Sequence, residues 1–188
     1  WVLDRACHDI AALNAGRERP LSVAVNISPM QFRRTGFMNE VKTALHASSL
    51  PPALLELEVT EGTLMTNTEQ AVALLNEVRD LGISVALDDF GTGFSSLSYL
   101  RDLPISKVKL DIVFIRGISK NAKNAAIVQG VITMAHHLNL AVVAEGIETR
   151  EEHRDLQQRQ CDLLQGFYFS KPLPFGMLTR LPRTLTPP

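Results

Sequence analysis

The chain has 188 residues, 45% hydrophobic and 21% charged, with 19 Lys and Arg against 20 Asp and Glu for a formal charge of −1. These proportions supply a sizeable core and exclude wholesale disorder. Near-neutrality excludes the bulk electrostatics of a protein that binds DNA or RNA polymers non-specifically, so a phosphate-bearing ligand would need a local site.

Taken in chain order, the first predicted element is a helix, because WVLDRACHDIAAL is already in helical rhythm. It begins at Trp1 with no initiator Met, and the expectation is that sequence continues upstream. No signal peptide is visible, and no apolar run approaches the roughly 18 residues of a membrane span. Leu21 to Ser28 reads as a strand, FMNEVKTALHAS as a helix and Leu54 to Glu61 as the next strand. TEQAVALLNEVRDLG reads as a helix with Thr68 as N-cap and Gly82 past its end. Ile83 to Phe90 is a strand running into a Gly-rich loop. A short helix over Ser96 to Asp102 precedes a strand over Ile105 to Asp111. A helix over Asn124 to Leu138, a strand over Asn139 to Gly146, a helix over Thr149 to Gln158 and a strand over Cys161 to Ser170 complete the series. The strand runs are almost wholly apolar, as when both faces of a parallel sheet are covered. Regular alternation of strand and helix predicts an α/β fold with a parallel sheet. One domain is expected over residues 1–181, with 182–188 as a Pro-rich tail.

Each apolar strand ends in polar side chains: Asn26; Glu58 and Glu61; Asp88 and Asp89; Lys109 and Asp111; Glu145 and Glu148; Gln165. In a (β/α)8 TIM-type barrel these ends share the catalytic rim, whereas an open sheet would spread them along a line. Clustered carboxylates repel one another unless cations neutralise them. Oxygen donors without Cys or a His pair suit Mg²⁺ or Mn²⁺. Adjacent Asp88 and Asp89 suit two ions about 4 Å apart, the arrangement that clamps a phosphoester. For any one of these acids alone, a solvated loop carboxylate is the ordinary explanation.

Other motifs carry less. Asp89-Phe90-Gly91 spells a kinase DFG without the accompanying kinase motifs, and no GxGxxG or phosphate-loop lysine follows a strand. Cys7 and Cys161 form no CxxC pair and are expected as reduced thiols. His136 and His137 are neighbours on a helix and cannot face one ligand together. His8, His46 and His153 are bystanders, and Arg33 and Arg34 are as readily solvated as phosphate-binding.

Taken together, VNIS (Asn26), ELEVTE (Glu58, Glu61), DDFGTGFSSL (Asp88, Asp89), KVKLD (Lys109, Asp111), AEGIET (Glu145, Glu148) and QGFYFSKP (Gln165) resemble the EAL domain, the bacterial phosphodiesterase module for cyclic di-GMP. The motifs follow the family's order across nearly the whole chain. The resemblance implies an eight-stranded barrel with an antiparallel first strand, about six of the eight strands lying in this chain. It implies metal-dependent hydrolysis of cyclic di-GMP to linear pGpG. By motif, Asn26, Glu58 and Asp88 resemble ligands of a first metal, and Asp88 and Asp89 ligands of a second, with Glu145 beside it. Lys109 and Glu145 would position and deprotonate the attacking water. Glu61 resembles the glutamate that holds the DDFGTG loop, which in the family couples the metals to a dimer interface. Asp111, Glu148 and Gln165 would complete the site.

The family's Glu-Ala-Leu segment, which carries a further metal ligand and a substrate-binding arginine, does not occur in these residues. A non-catalytic cyclic di-GMP receptor is the competing reading, although the acids that degenerate members lose are intact here. A metal-dependent barrel isomerase with a lysine base is the third. The remaining expectations are a homodimer through the loop after Asp89, an upstream sensor or cyclase domain, and a cytoplasmic location with an upstream membrane anchor left open.

Overall fold

The computed structural model describes residues 1–65, 68–91 and 100–178. They fall into two compact units, residues 1–65, 68–87 and 100–106, and residues 88–91 with 107–178.

In the first unit, α1 (Val2–Asn14) leads to β1 (Val23–Asn26), α2 (Pro29–Phe32), α3 (Phe37–Ser48) and a 3-10 turn at Pro52–Leu54. Then follow β2 (Leu55–Thr60), α4 (Glu61–Met65), α5 (Thr68–Asp80) and the first four residues of β3 (Ser84–Phe90). The strands lie in chain order, β1-β2-β3. β1 and β2 are parallel, with Val23 opposite Leu55 and Asn26 opposite Glu58. Alternation along the pleat puts Val25 with Leu57 on one face and Asn26 with Glu58 on the other. α1 packs on α3 and β1, burying Cys7 and Leu13 near Val41, Ala44 and Leu45 of α3. The amide side chain of Asn14 pairs with both backbone groups of Leu21 at 2.8 Å, which fixes where β1 begins.

The second unit holds the last three residues of β3, then β4 (Lys107–Leu110), α6 (Ile112–Ile115), a 3-10 turn at Ile118–Lys120 and α7 (Ala122–His137). β5 (Ala141–Ala144), α8 (Arg150–Gln158), β6 (Leu163–Leu164) and α9 (Phe175–Leu178) complete it. The strand order is again that of the chain. β4, β5 and β6 are parallel, with Lys109 opposite Val143 and Ala144 opposite Leu164. α7 buries Val128, Ile132 and Ala135, the i, i+4, i+7 stripe of a helix lying on a sheet.

Several boundaries differ from the sequence reading. Thr68 is itself helical in α5 rather than a cap outside it. Glu61 opens α4 instead of closing β2. α7 starts before Asn124 because the Asn121 side chain caps it, accepting from the N–H groups of Lys123 and Asn124. The expected ten-residue last strand pairs only at Leu163 and Leu164. Beyond them the chain turns at Gly166 over Ile147, which donates to Gln165 O and accepts from Tyr168 N–H. Most of the helix expected over Ser96 to Asp102 lies outside the described residues.

Candidate active site

In the first unit, two of the expected metal ligands are register partners at the ends of parallel strands. Asn26 is exposed and Glu58 is buried on the same face, and the backbone is pinned there by Ile27 N–H donating to Glu58 O at 2.8 Å. Glu56, two residues earlier on that face and also buried, went unnoticed in the sequence. A charge inside a strand otherwise made of Leu and Val was the available signal. Glu61 stands at the start of α4 and is half-buried.

In the second unit, Lys109 is the hub. Its ammonium lies 3.0 Å from Asp88 Oδ1 and 2.8 Å from Glu145 Oε1, with the lysine side chain only 5% exposed. A buried ammonium requires such partners, since an unpaired charge there would be too costly. Lys109 belongs to β4, Asp88 to β3, and Glu145 follows β5, so three neighbouring strand ends supply the cluster. Asp89 adopts a left-handed backbone with φ 54°, a conformation an Asp tolerates at some cost. Burial raises its carboxyl above the ordinary aspartate value, and the negative charges of Asp88 and Asp111 raise it further against the pull of Lys109. Asp111 also caps α6, accepting from Val113 N–H at 2.7 Å.

Beside this cluster lies a pocket of about 230 Å³ in which Asp111, Glu145, Glu148 and Gln165 are joined by the exposed Phe167. Two glycines let its wall close. A Cβ at Gly146, whose φ is +70°, would collide with the Ile112 side chain, and one at Gly166 with the Ile147 backbone. Glu148 is exposed and stands 3.6 Å from Arg116. Glu152, absent from the sequence-derived site, is buried under the same loop, and the Thr149-x-x-Glu152 capping box is the signal that would have found it.

The remaining candidates are accounted for elsewhere. His136 pairs with Asp162 at 2.8 Å, and His137 bonds Thr133 O. Both cysteines are free thiols, and burial pushes Cys161 up to about 11, which makes it unreactive.

The donors near Asp89 are oxygen-only and mutually repelling, the chemistry that a divalent cation relieves. Among the described residues, no three His, Cys, Asp or Glu side chains are arranged as a metal cage, and Lys109 occupies the facing oxygens of Asp88 and Glu145. The set fits a hard cation by type and charge. The loop beyond Gly91, including most of DDFGTGFSSL and the expected dimer contact, lies outside the described residues. Among the described residues no helix is long and apolar enough to cross a membrane.

Parallel strands alternating with helices, with a lysine and several acids at the strand ends, define an α/β domain with a candidate active site at those ends. Residues 1–172 match the EAL domain, and the chain belongs to that family. The cyclic di-GMP phosphodiesterase NbdA of Pseudomonas aeruginosa is 47% identical over 179 residues, which is 95% of this chain and 23% of NbdA. The chain spans about a quarter of the length of the curated relatives it matches. The structure of the PaMucR phosphodiesterase in complex with c-di-GMP superposes with a TM-score of 0.90 at 39% identity, covering 95% of this chain and 72% of that one. The manganese and cy-diGMP complex of Klebsiella pneumoniae BlrP1 gives 0.81 at 34% identity, covering 90% and 43%. These superpositions place the six strands in the TIM-type barrel architecture of EAL domains.

Proposed function

We propose that this chain is the catalytic module of a metal-dependent cyclic di-GMP phosphodiesterase that opens one phosphodiester to give linear pGpG. The observation that carries the reading is the buried Lys109 ammonium shared between Asp88 and Glu145, in a chain whose relatives include a cyclic di-GMP phosphodiesterase. Mg²⁺ or Mn²⁺, in two sites by family resemblance, would be held by Asn26, Glu58, Asp88 and Asp89. The manganese complex of BlrP1 supports a divalent ion. When bound, the metal lowers the pKa of water and withdraws charge from the phosphate.

The chain's own residues do the rest. Glu145 accepts the proton of the attacking water, and its contact with Lys109 keeps it oriented. The Lys109 ammonium offsets the charge that builds on the phosphate oxygens. Gln165 and Glu148 line the pocket next to Glu145 and offer polar contacts to the nucleotide, and Asp111 fixes the start of α6 beside them. By family resemblance Glu61 would support the loop after Asp89, and a homodimer would form through that loop. Residues 1–181 would act as one module, in the cytoplasm, with an upstream sensor or cyclase domain.

The chain incubated with cyclic di-GMP and Mn²⁺, with products separated by chromatography, is expected to yield pGpG that EDTA abolishes. Binding of cyclic di-GMP without turnover would assign a receptor, and neither binding nor turnover would overturn the reading for this chain.

A further inference from the structure

The proposed chemistry leaves Glu152 of α8 without a role, yet it is among the best-satisfied acids in the second unit. It is 5% exposed. Its Oε1 accepts the Gly117 N–H at 2.9 Å, and its Oε2 accepts the N–H groups of Glu148 and Thr149, each at 3.1 Å. A capping box needs only the Thr149 bond, reciprocated by Glu152 N–H donating to Thr149 Oγ1 at 3.3 Å. The other two bonds exceed what the helix end requires.

Their placement matters. Gly117 lies in the segment that follows β4 and α6, downstream of Lys109 and Asp111. Glu148 and Thr149 lie in the segment that follows β5 and begins with Glu145. One carboxylate therefore bridges the segment downstream of β4, the strand that carries the lysine, to the segment after β5 that carries the base. The same loops meet where Ile112 covers Gly146 and where Glu145 N–H donates to Leu110 O at 3.1 Å. Burial pushes the Glu152 carboxyl up, but the backbone donors outweigh it and hold the group below its ordinary value, so it stays an acceptor on both oxygens.

We infer that Glu152 is a positioning residue, its buried carboxylate tying the segment after β4 to the segment after β5 so that Glu145 stays set against Lys109. The catalytic half of this inference rests on the phosphodiesterase reading; the structural tie does not.

Glu152→Gln in the full chain tests it. Gln keeps the size but offers one acceptor oxygen, so it cannot serve both loops. Amide hydrogen exchange is expected to quicken at least about tenfold at Gly117 and at Glu148 and Thr149 together, with α7 amides unchanged. With Mn²⁺ and cyclic di-GMP, kcat is expected to fall about tenfold or more while KM moves less than about threefold, as for a misplaced catalytic group. Thr149→Ala, which removes the helix cap but keeps the bridge, should retain kcat within about twofold. Equal kcat loss in Thr149→Ala and Glu152→Gln, or unchanged kcat in an active chain carrying Glu152→Gln, overturns the inference. If the wild-type chain makes no pGpG, the phosphodiesterase reading fails on its own, and exchange decides the tie: loosening of both segments keeps it, loosening of Thr149 alone or of neither removes it. Should Glu152→Gln not fold, Glu152→Asp, which keeps the charge but shortens the reach, is read by the same criteria.

Discussion

Lys109 stands buried between two carboxylates, and the consequences of removing each partner differ. Glu145→Gln keeps an acceptor oxygen for the ammonium and removes only the capacity to take a proton. Turnover is expected to fall by about 10²–10⁴ with an unchanged melting curve, read from pGpG formation and circular dichroism. Lys109→Ala strands Asp88 and Glu145 side by side. Losing one member of a buried ion pair costs about 3–5 kcal/mol when its partner cannot reach water, and the 20% exposure of the Glu145 side chain moderates that figure. Lys109→Ala should therefore lose turnover and melt several degrees lower than Glu145→Gln, and equal melting temperatures would show that the cluster carries no folding energy. The identities of Lys109, Asp88 and Glu145 were legible because a charge at the end of an apolar strand is conspicuous. Glu152 was not conspicuous, since a glutamate early in a polar helix resembles its exposed neighbour Glu151 until its backbone donors are seen.

At the level of elements, the loops after β4, β5 and β6 are locked by close packing as much as by hydrogen bonds. A Cβ added at Gly166 would run into the Ile147 backbone, which cannot move aside as a flexible side chain would. Gly166→Ala is thus expected to cost several kcal/mol, at the severe end for one methyl group, and to appear as a lower melting temperature with weakened protection of β5 amides. Thr149→Ala, which removes only the α8 cap hydroxyl, should cost about 1 kcal/mol. A larger loss in Thr149→Ala than in Gly166→Ala would refute the close-packing account. Helices and the order of elements were readable from periodicity, with α3 recovered at its observed limits. Strand lengths were overestimated because apolar content continues past the last ladder bond, as at Cys161 to Ser170. There the stop is set by Gly166 meeting Ile147, a contact distant in sequence. Short elements such as α2, α4 and α6 are too brief for periodicity to register, although the Ser28-x-x-Gln31 box at α2 was present in the sequence.

At the scale of the molecule, alternation of strand and helix sufficed for the α/β class, and the run of polar strand ends supplied the residues proposed to carry the chemistry. Protonation and metal should then act as alternatives at the acidic end of β3. Asp89 holds its proton to higher pH in the folded chain than in the unfolded one, because burial and the charges of Asp88 and Asp111 oppose its ionisation. The folded state therefore binds more protons than the unfolded state across the interval above the ordinary aspartate value. In that interval Asp89 takes stability away as pH rises. Glu152 has the opposite sign, since its depressed value contributes stability above the ordinary glutamate range that is lost on acidification. A cation bound at Asp88 and Asp89, as proposed, would replace the missing proton and cancel the first effect. Mn²⁺ at a hundredfold excess over its dissociation constant should add about 2.7 kcal/mol, with a gain in melting temperature that is larger near neutrality than in mild acid, where protons compete for the same oxygens. Differential scanning calorimetry of the wild type and of Asp89→Asn, with and without Mn²⁺ across that pH range, measures this directly. The substituted chain should be the more stable without metal and should respond to Mn²⁺ weakly. An identical Mn²⁺ response in both chains would place the cation away from Asp89.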